Sequence, residues 1–144
     1  MAKVTFNNKN SVFYDSLKTR VDAYFKENHL KRTGNFHLFF KALVLIPAAV
    51  GVYYTLVFIQ PAVIPSLLLC IVLGLTLASI GFNVMHDACH GSYSSTKWVN
   101  DVMSLSLNFL GGNAFIWKMK HNVIHHTYTN VDGVDDDIAK MPLI

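Results

Sequence analysis

The feature that most limits the fold of this chain is one long apolar run. From Ala42 to Met85 there are 44 consecutive residues without Asp, Glu, Lys or Arg. As a single α-helix this run would be about 66 Å long, whereas the ~30 Å hydrocarbon core of a bilayer takes about 20 residues. Gln60-Pro61 is a natural place to break it. The sequence therefore predicts a transmembrane helical hairpin, with helices at about 38–59 and 62–85.

The composition agrees with a membrane protein. Hydrophobic residues make up 52% of the 144 residues and charged residues only 15%, which is unusually apolar for a soluble domain of this size. A hairpin buried in a soluble core is the alternative, and it is disfavoured because such helices are seldom apolar on every side. The run starts after 41 residues, so it does not resemble a cleaved secretory signal.

The distribution of charge predicts the orientation. Residues 1–41 carry eight Lys or Arg against three acids, and residues 86–144 carry four against six. By the positive-inside rule the N-terminus is cytoplasmic, and a hairpin returns residues 86–144 to the same side. The predicted fold is an all-α membrane protein in three parts: an amphipathic cytoplasmic segment at 1–35, the hairpin at 36–85, and cytoplasmic or interfacial helices at 86–144.

Both flanks of the hairpin have the pattern of helices that stay outside the hydrocarbon. The stretch SVFYDSLKTRVDAYFKEN places its apolar residues on one helical stripe, and that stripe can rest on the bilayer or on another part of the protein. Residues 99–117 are moderately apolar but contain several Asn and Gly. We expect them to lie at the membrane interface, anchored by Trp98 and Trp117.

The histidines fall mainly in two short boxes. HDACH places His86 and His90 four residues apart, and HNVIHH repeats that spacing with His121 and His125 and adds His126. Residues four apart share a helix face, so two imidazoles can hold one metal ion or two adjacent ions. One such pair alone is more often a surface or packing feature. Two boxes on the same side of the membrane predict a metal site with these five histidines as ligands.

The residue types favour iron over zinc. Neutral imidazole is a common ligand of zinc, copper and iron. The zinc-protease pattern requires a Glu beside its first histidine, and Asp87 and Asn122 occupy those positions here, so a zinc hydrolase is the weaker alternative. Zinc is also redox-inert, whereas iron beside acyl chains is suited to activating dioxygen against an unactivated C–H bond.

The longer strings NVMHDACHGSYS and WKMKHNVIHHTYTNVDGVDDDI resemble the first and second histidine boxes of membrane fatty acid desaturases. The resemblance is to the acyl-CoA and acyl-lipid branch that includes linoleoyl-CoA, or front-end, enzymes, and it covers about residues 81–138. It implies a centre of two iron ions, dioxygen as oxidant, a fatty acyl or membrane lipid substrate, and a separate electron donor, either a b-type cytochrome or a ferredoxin with its reductase. The ligand positions of the two boxes match His86, His90, His121, His125 and His126.

The chain departs from the family pattern in two respects. The third box, Q/H-x-x-H-H, and a second hairpin are absent from the 144 residues. We therefore expect an N-terminal half that is inactive alone. The alternatives are a membrane di-iron hydroxylase of alkanes, sterols or lipids, and a non-catalytic metal-binding membrane fragment. Nothing indicates a nucleic-acid partner, and the lack of targeting signals favours a bacterial inner membrane.

Three carboxylates are candidates to support the histidines. Asp87, Asp135 and Asp137 can each hold a ligand imidazole through its second ring nitrogen. Asp87 fits a helix-surface residue equally well. For the acidic run 135–137 the favoured interpretation is a solvated face.

Overall fold

The computed structural model describes residues 11–138. The first ten residues of the predicted N-terminal segment and the last six of the tail lie outside this range. Within it the secondary structure is entirely helical, without a strand, in agreement with the predicted all-α class. The chain divides into two compact units, one up to Arg32 and one from Thr33 onward.

The first unit is built on α1, Val12–Glu27. This confirms the predicted helix. Asp15 in its first turn and Lys26 in its last turn complement the helix dipole. No residue of α1 is buried, so its apolar stripe remains exposed within this unit. After the helix, Arg32 pairs with Asp22.

The second unit starts with the first of two long apolar helices. Helix α2, Phe36–Tyr54, continues into a π-helical turn, π1, at Thr55–Ile59. The side chain of Asn35 caps α2 by accepting from the amide of Leu38 at 3.2 Å. The helix ends at Gln60, whose φ of +51° is left-handed. The predicted break at Gln60-Pro61 is confirmed.

The second long helix reaches further than the sequence predicted. Helix α3, Val63–Ile80, continues through π2, Gly81–Met85, into α4, His86–Cys89. The two continuous stretches of 24 and 27 residues are long and apolar enough to cross a membrane. Only 11% and 6% of their most apolar windows are buried in the protein, so their side chains are available to lipid. The first histidine box therefore extends the second helix rather than following it.

A small core joins the two long helices. It is formed by six buried residues, with larger aliphatic side chains packed around them: Ala42, Ala49, Ile80, Val84, Ala88 and Tyr93. Because half of these are alanines, the backbones can approach closely. The ammonium of Lys41 also donates to the amide oxygen of Asn83 at 3.0 Å, which links the start of α2 to π2 at the end of the second long helix.

Short helices follow the first histidine box. They are α5, Lys97–Ser104, α6, Ser106–Phe109, and α7, Ala114–Trp117. Next comes an eight-residue π-helix, π3, Lys118–His125, and then α8, His126–Tyr128. A single 3-10 turn, Asp136–Ile138, ends the described chain.

The loop after the first box is held by a buried amide. The side chain of Asn100, 7% exposed, accepts from the amide of Ser94 at 2.8 Å and donates to the carbonyls of Ser94 and Gly91. All of its polar groups are therefore used. This bonding fixes the loop directly after His90.

Candidate metal centre

Each histidine box lies on or beside a π-helical segment. His86 follows π2, and His121 and His125 lie on π3, which ends where His126 begins α8. A π-helix bonds residue i to i+5, is rare, and frequently lies at a functional site. The second box is therefore π-helical rather than α-helical, although the rings of His121 and His125 still share one face, 4.9 Å apart. The wider turn changes the directions in which its imidazoles point.

The five imidazoles of the two boxes form one group, called here the histidine cluster: His86, His90, His121, His125 and His126. Seven ring pairs within it have centroid separations between 4.5 and 5.6 Å. Two sets of three residues have candidate donor atoms within 4.8 Å of one another, His86 with His90 and His121, and His121 with His125 and Asp137. Histidines of both boxes can therefore bind the same metal ion.

Three imidazoles of the cluster have carboxylate partners on Nδ1. His86 contacts Asp87 at 3.2 Å, His121 contacts Asp137 at 2.6 Å, and His125 contacts Asp135 at 2.9 Å. A carboxylate on Nδ1 fixes the tautomer and leaves Nε2 as the nitrogen that can face a metal ion.

Asp135 is buried, with 2% of its surface exposed. Its two oxygens accept from Nδ1 of His125 and from the amides of Asn130 at 2.9 Å and Asp137 at 3.1 Å. Burial acts to raise the pKa of Asp135, but these hydrogen bonds outweigh it and the net pKa lies below its usual value. The expectation of a solvated face is therefore wrong for Asp135. The chain after the second box folds back, and the carboxylate faces the cluster.

His90 lies among other imidazoles. Burial lowers the pKa of His90 to about 4, and the charges of His86, His121 and His126 act in the same direction. The ring is therefore neutral at neutral pH. A neutral imidazole has a lone pair to offer a metal ion.

Two further residues of the site were not identified from the sequence. Trp117, expected as an interfacial anchor, stacks on His121 with centroids 4.3 Å apart and has its ring 5.7 Å from His86. The side-chain nitrogen Nδ2 of Asn122 donates to the backbone carbonyl of Cys89 at 2.8 Å. Trp117 lies four residues before His121, and this spacing could have predicted that the two rings share a helix face. Nothing in the sequence pointed to the bond from Asn122.

An open groove of about 830 Å³ runs beside the cluster. Apolar residues supply most of its wall, including Leu77, Gly81, Phe82 and Phe109. His86, Trp117 and His121 also line it. The groove therefore brings apolar surface and imidazoles together.

These features define a helical protein with two helices able to cross a membrane and a histidine cluster able to hold metal ions. The sequence model of the fatty acid desaturase family matches residues 62–142. The chain belongs to the fatty acid desaturase family. This membership implies iron-dependent chemistry, and with the two apolar helices it indicates a membrane protein.

Several curated relatives are similar over nearly the whole chain. An sn-1 linoleoyl-lipid 6-desaturase from Arthrospira platensis is 37% identical over 95% of this chain and 37% of its own length. One with the same name from Synechocystis is 38% identical over 94% of the chain and 38% of its own length. An acyl-lipid (8-3)-desaturase from Physcomitrium patens is 35% identical over 90% of the chain and 27% of its own length. The chain thus spans less than two fifths of these relatives, and no solved structure matches it.

Proposed function

We propose that these 144 residues supply two histidine boxes of a desaturase that introduces a double bond into a fatty acyl chain. The observation that carries the proposal is the meeting of five imidazoles, three of them partnered by carboxylates, beside an apolar groove. Iron bound there would supply the activation of dioxygen toward an unactivated C–H bond.

The donor set fits a di-iron centre in part. Neutral imidazoles with carboxylates behind them are suitable ligands for iron, and two sets of three donors are already close together. Both sets use His121, and five imidazoles cannot complete the coordination of two iron ions. The proposed centre therefore includes ligands beyond these five. Asp87 and Asp135 act in it by orienting the imidazoles, and Asp137 either orients His121 or serves as a ligand itself.

The groove is the proposed site of the acyl chain. Its apolar wall excludes water from the reacting carbons, and Trp117, which lines it and stacks on His121, sets how closely the chain approaches the cluster. Phe82 and Phe109 line the groove and are 77% and 92% exposed. A chain can therefore enter it from the side that the apolar helices present to lipid.

We further propose that the substrate is an acyl chain of a membrane lipid, because the relatives named above are linoleoyl-lipid and acyl-lipid desaturases. The two long helices would form a transmembrane hairpin with the N-terminus and both boxes in the cytoplasm, in a bacterial inner membrane. The basic N-terminal part of the chain supports this orientation. Electrons would come from a separate b-type cytochrome or a ferredoxin with its reductase.

The test is expression of a polypeptide in which these 144 residues are followed by a third histidine box, in bacteria supplied with deuterated linoleoyl lipid and a ferredoxin with its reductase. Mass spectrometry of the fatty acids should reveal a new double bond, which His90→Ala abolishes. The control, His37→Ala, changes an exposed histidine outside the boxes and should leave the product unchanged. A hydroxylated product would instead establish a hydroxylase. No oxidised product from protein with its metal bound would contradict the proposal.

A further inference from the structure

One hydrogen bond joins the backbone of the first histidine box to a side chain of the second. Nδ2 of Asn122 donates to the carbonyl oxygen of Cys89 at 2.8 Å, across 33 residues of sequence. Cys89 directly precedes His90, and Asn122 directly follows His121. The bond therefore connects the immediate neighbours of two cluster histidines whose rings are 5.2 Å apart.

The carbonyl of Cys89 needs such a donor. Cys89 is the last residue of α4, and the final carbonyls of a helix have no partner within it. The amides that follow bond elsewhere, those of Ser92 and Tyr93 to Asp87 and that of Gly91 to Ala88. Cys89 is itself 4% exposed, so a carbonyl without a donor would be costly there. Asn122 thus caps the first-box helix from the second box.

The orientation of the Asn122 amide follows from this bond. If the side-chain amide were flipped, its Oδ1 would lie against the carbonyl oxygen of Cys89. Nδ2 must therefore face Cys89. Its own oxygen is then buried and has no hydrogen-bond partner among the described residues. A buried acceptor left unpaired is destabilising. Aspartate, serine or leucine could not combine this reach with a nitrogen donor.

We infer that Asn122 is a positioning residue, whose hydrogen bond to Cys89 fixes the first histidine box against the second and so sets the geometry in which both bind metal. The inference rests on the proposed metal centre. Asn122 does not itself need to touch an ion, because the bond acts through the backbone that carries His90 and His121. Loss of the donor lets the two boxes separate.

The experiment uses the 144-residue chain in lipid nanodiscs with Co²⁺ as the probe ion. Asn122→Leu keeps a similar volume without the donor, and Asn122→Ala removes the side chain. The matched control, Asn35→Ala, deletes another single hydrogen bond, the α2 cap, away from the cluster. We expect both Asn122 variants to bind Co²⁺ about 10-fold to 100-fold more weakly and with an altered visible ligand-field spectrum. The control should match the wild type in both.

A second measurement needs no metal. Spin labels at Ser95→Cys and Val123→Cys, both exposed positions, report the distance between the boxes when the native cysteines are replaced by alanine. Asn122→Leu should broaden this distance distribution, and Asn35→Ala should not. Unchanged distances would overturn the inference, even with weaker cobalt binding, because the effect would then not act through position. A wild-type chain that fails to bind Co²⁺ would show that the ligands beyond these five imidazoles are required for binding, and broadened distances would still support the link between the boxes.

Discussion

The carboxylate of Asp135 offers a quantitative test of how the cluster is held. Asp135→Asn leaves the size and shape of the side chain almost unchanged but replaces one acceptor oxygen with an NH₂ group. Each oxygen of Asp135 accepts from one backbone amide, that of Asn130 or that of Asp137, in addition to His125. Whichever oxygen is replaced, one backbone N–H loses its acceptor and faces another donor.

Two magnitudes follow from this geometry. The Asp135 side chain is buried, and a buried polar group whose hydrogen bond is lost costs about 1–3 kcal/mol, so the free energy of unfolding of Asp135→Asn should fall by about that amount. A lost carboxylate behind a ligand imidazole typically costs 10-fold to 100-fold in metal affinity. We expect the Co²⁺ affinity of the chain to fall by a factor in that range, because His125 loses its nearest charged acceptor and the carboxylate of Asp137 is 3.7 Å away.

The assay is calorimetric titration of Co²⁺ into the chain in nanodiscs, with chemical unfolding followed by circular dichroism in detergent. Asp132→Asn is the matched control, since it makes the same substitution at an exposed position in the same segment. It should leave both quantities within error of the wild type. If Asp135→Asn bound Co²⁺ as tightly as the wild type, Asp135 would not support the cluster and the reasoning would be refuted.

Three further substitutions test other parts of the structure. Gly34→Ala should lower the free energy of unfolding by about 1–3 kcal/mol, because its new Cβ would lie 2.4 Å from the carbonyl oxygen of Tyr93; denaturant titration measures this. Trp117→Ala should weaken Co²⁺ binding several-fold and shift its visible spectrum, since the ring that stacks on His121 is lost. Gly81→Leu should reduce binding of a fluorescent fatty acyl lipid, measured by fluorescence titration, because the added side chain enters the groove.

Matched variants define the outcomes that would contradict these expectations. Gly51→Ala meets nothing within 4 Å and should be neutral or slightly stabilising; a Gly34→Ala variant that behaved the same way would contradict the close approach. Trp98→Ala, at an exposed tryptophan, should not affect Co²⁺ binding, and equal effects at the two positions would argue against a role in the site. Tight acyl binding by Gly81→Leu would place the acyl chain elsewhere.

The fold could be predicted from the sequence where a strong physical requirement acts on consecutive residues. A 44-residue run without charge has few ways to fold, and Gln60-Pro61 is where the helix ends. The two boxes were recognised because histidines four apart share a helix face. That these five residues bind metal stays a prediction.

The remaining features depend on contacts between distant residues, which local patterns do not encode. The π-helical turn through the second box changes the hydrogen-bond register without changing the residue pattern. Asp135 belongs to an acidic run, a pattern that is typical of a solvated face. It is nevertheless buried, because the chain folds back onto His125. Asn122 contacts Cys89 across 33 residues, so its partner could not be deduced from spacing.

The most direct test of the account is X-ray absorption spectroscopy of the Co²⁺-bound chain, which counts imidazole ligands by their multiple scattering. We expect an average of two to three imidazoles per ion in the wild type, because five imidazoles are shared between two ions. Removing His90 from the first box or His125 from the second should each lower that number, because both boxes bind the same ions. If His86→Ala with His90→Ala left the spectrum of the bound metal unchanged, the two boxes would not form a joint centre and the account would be contradicted.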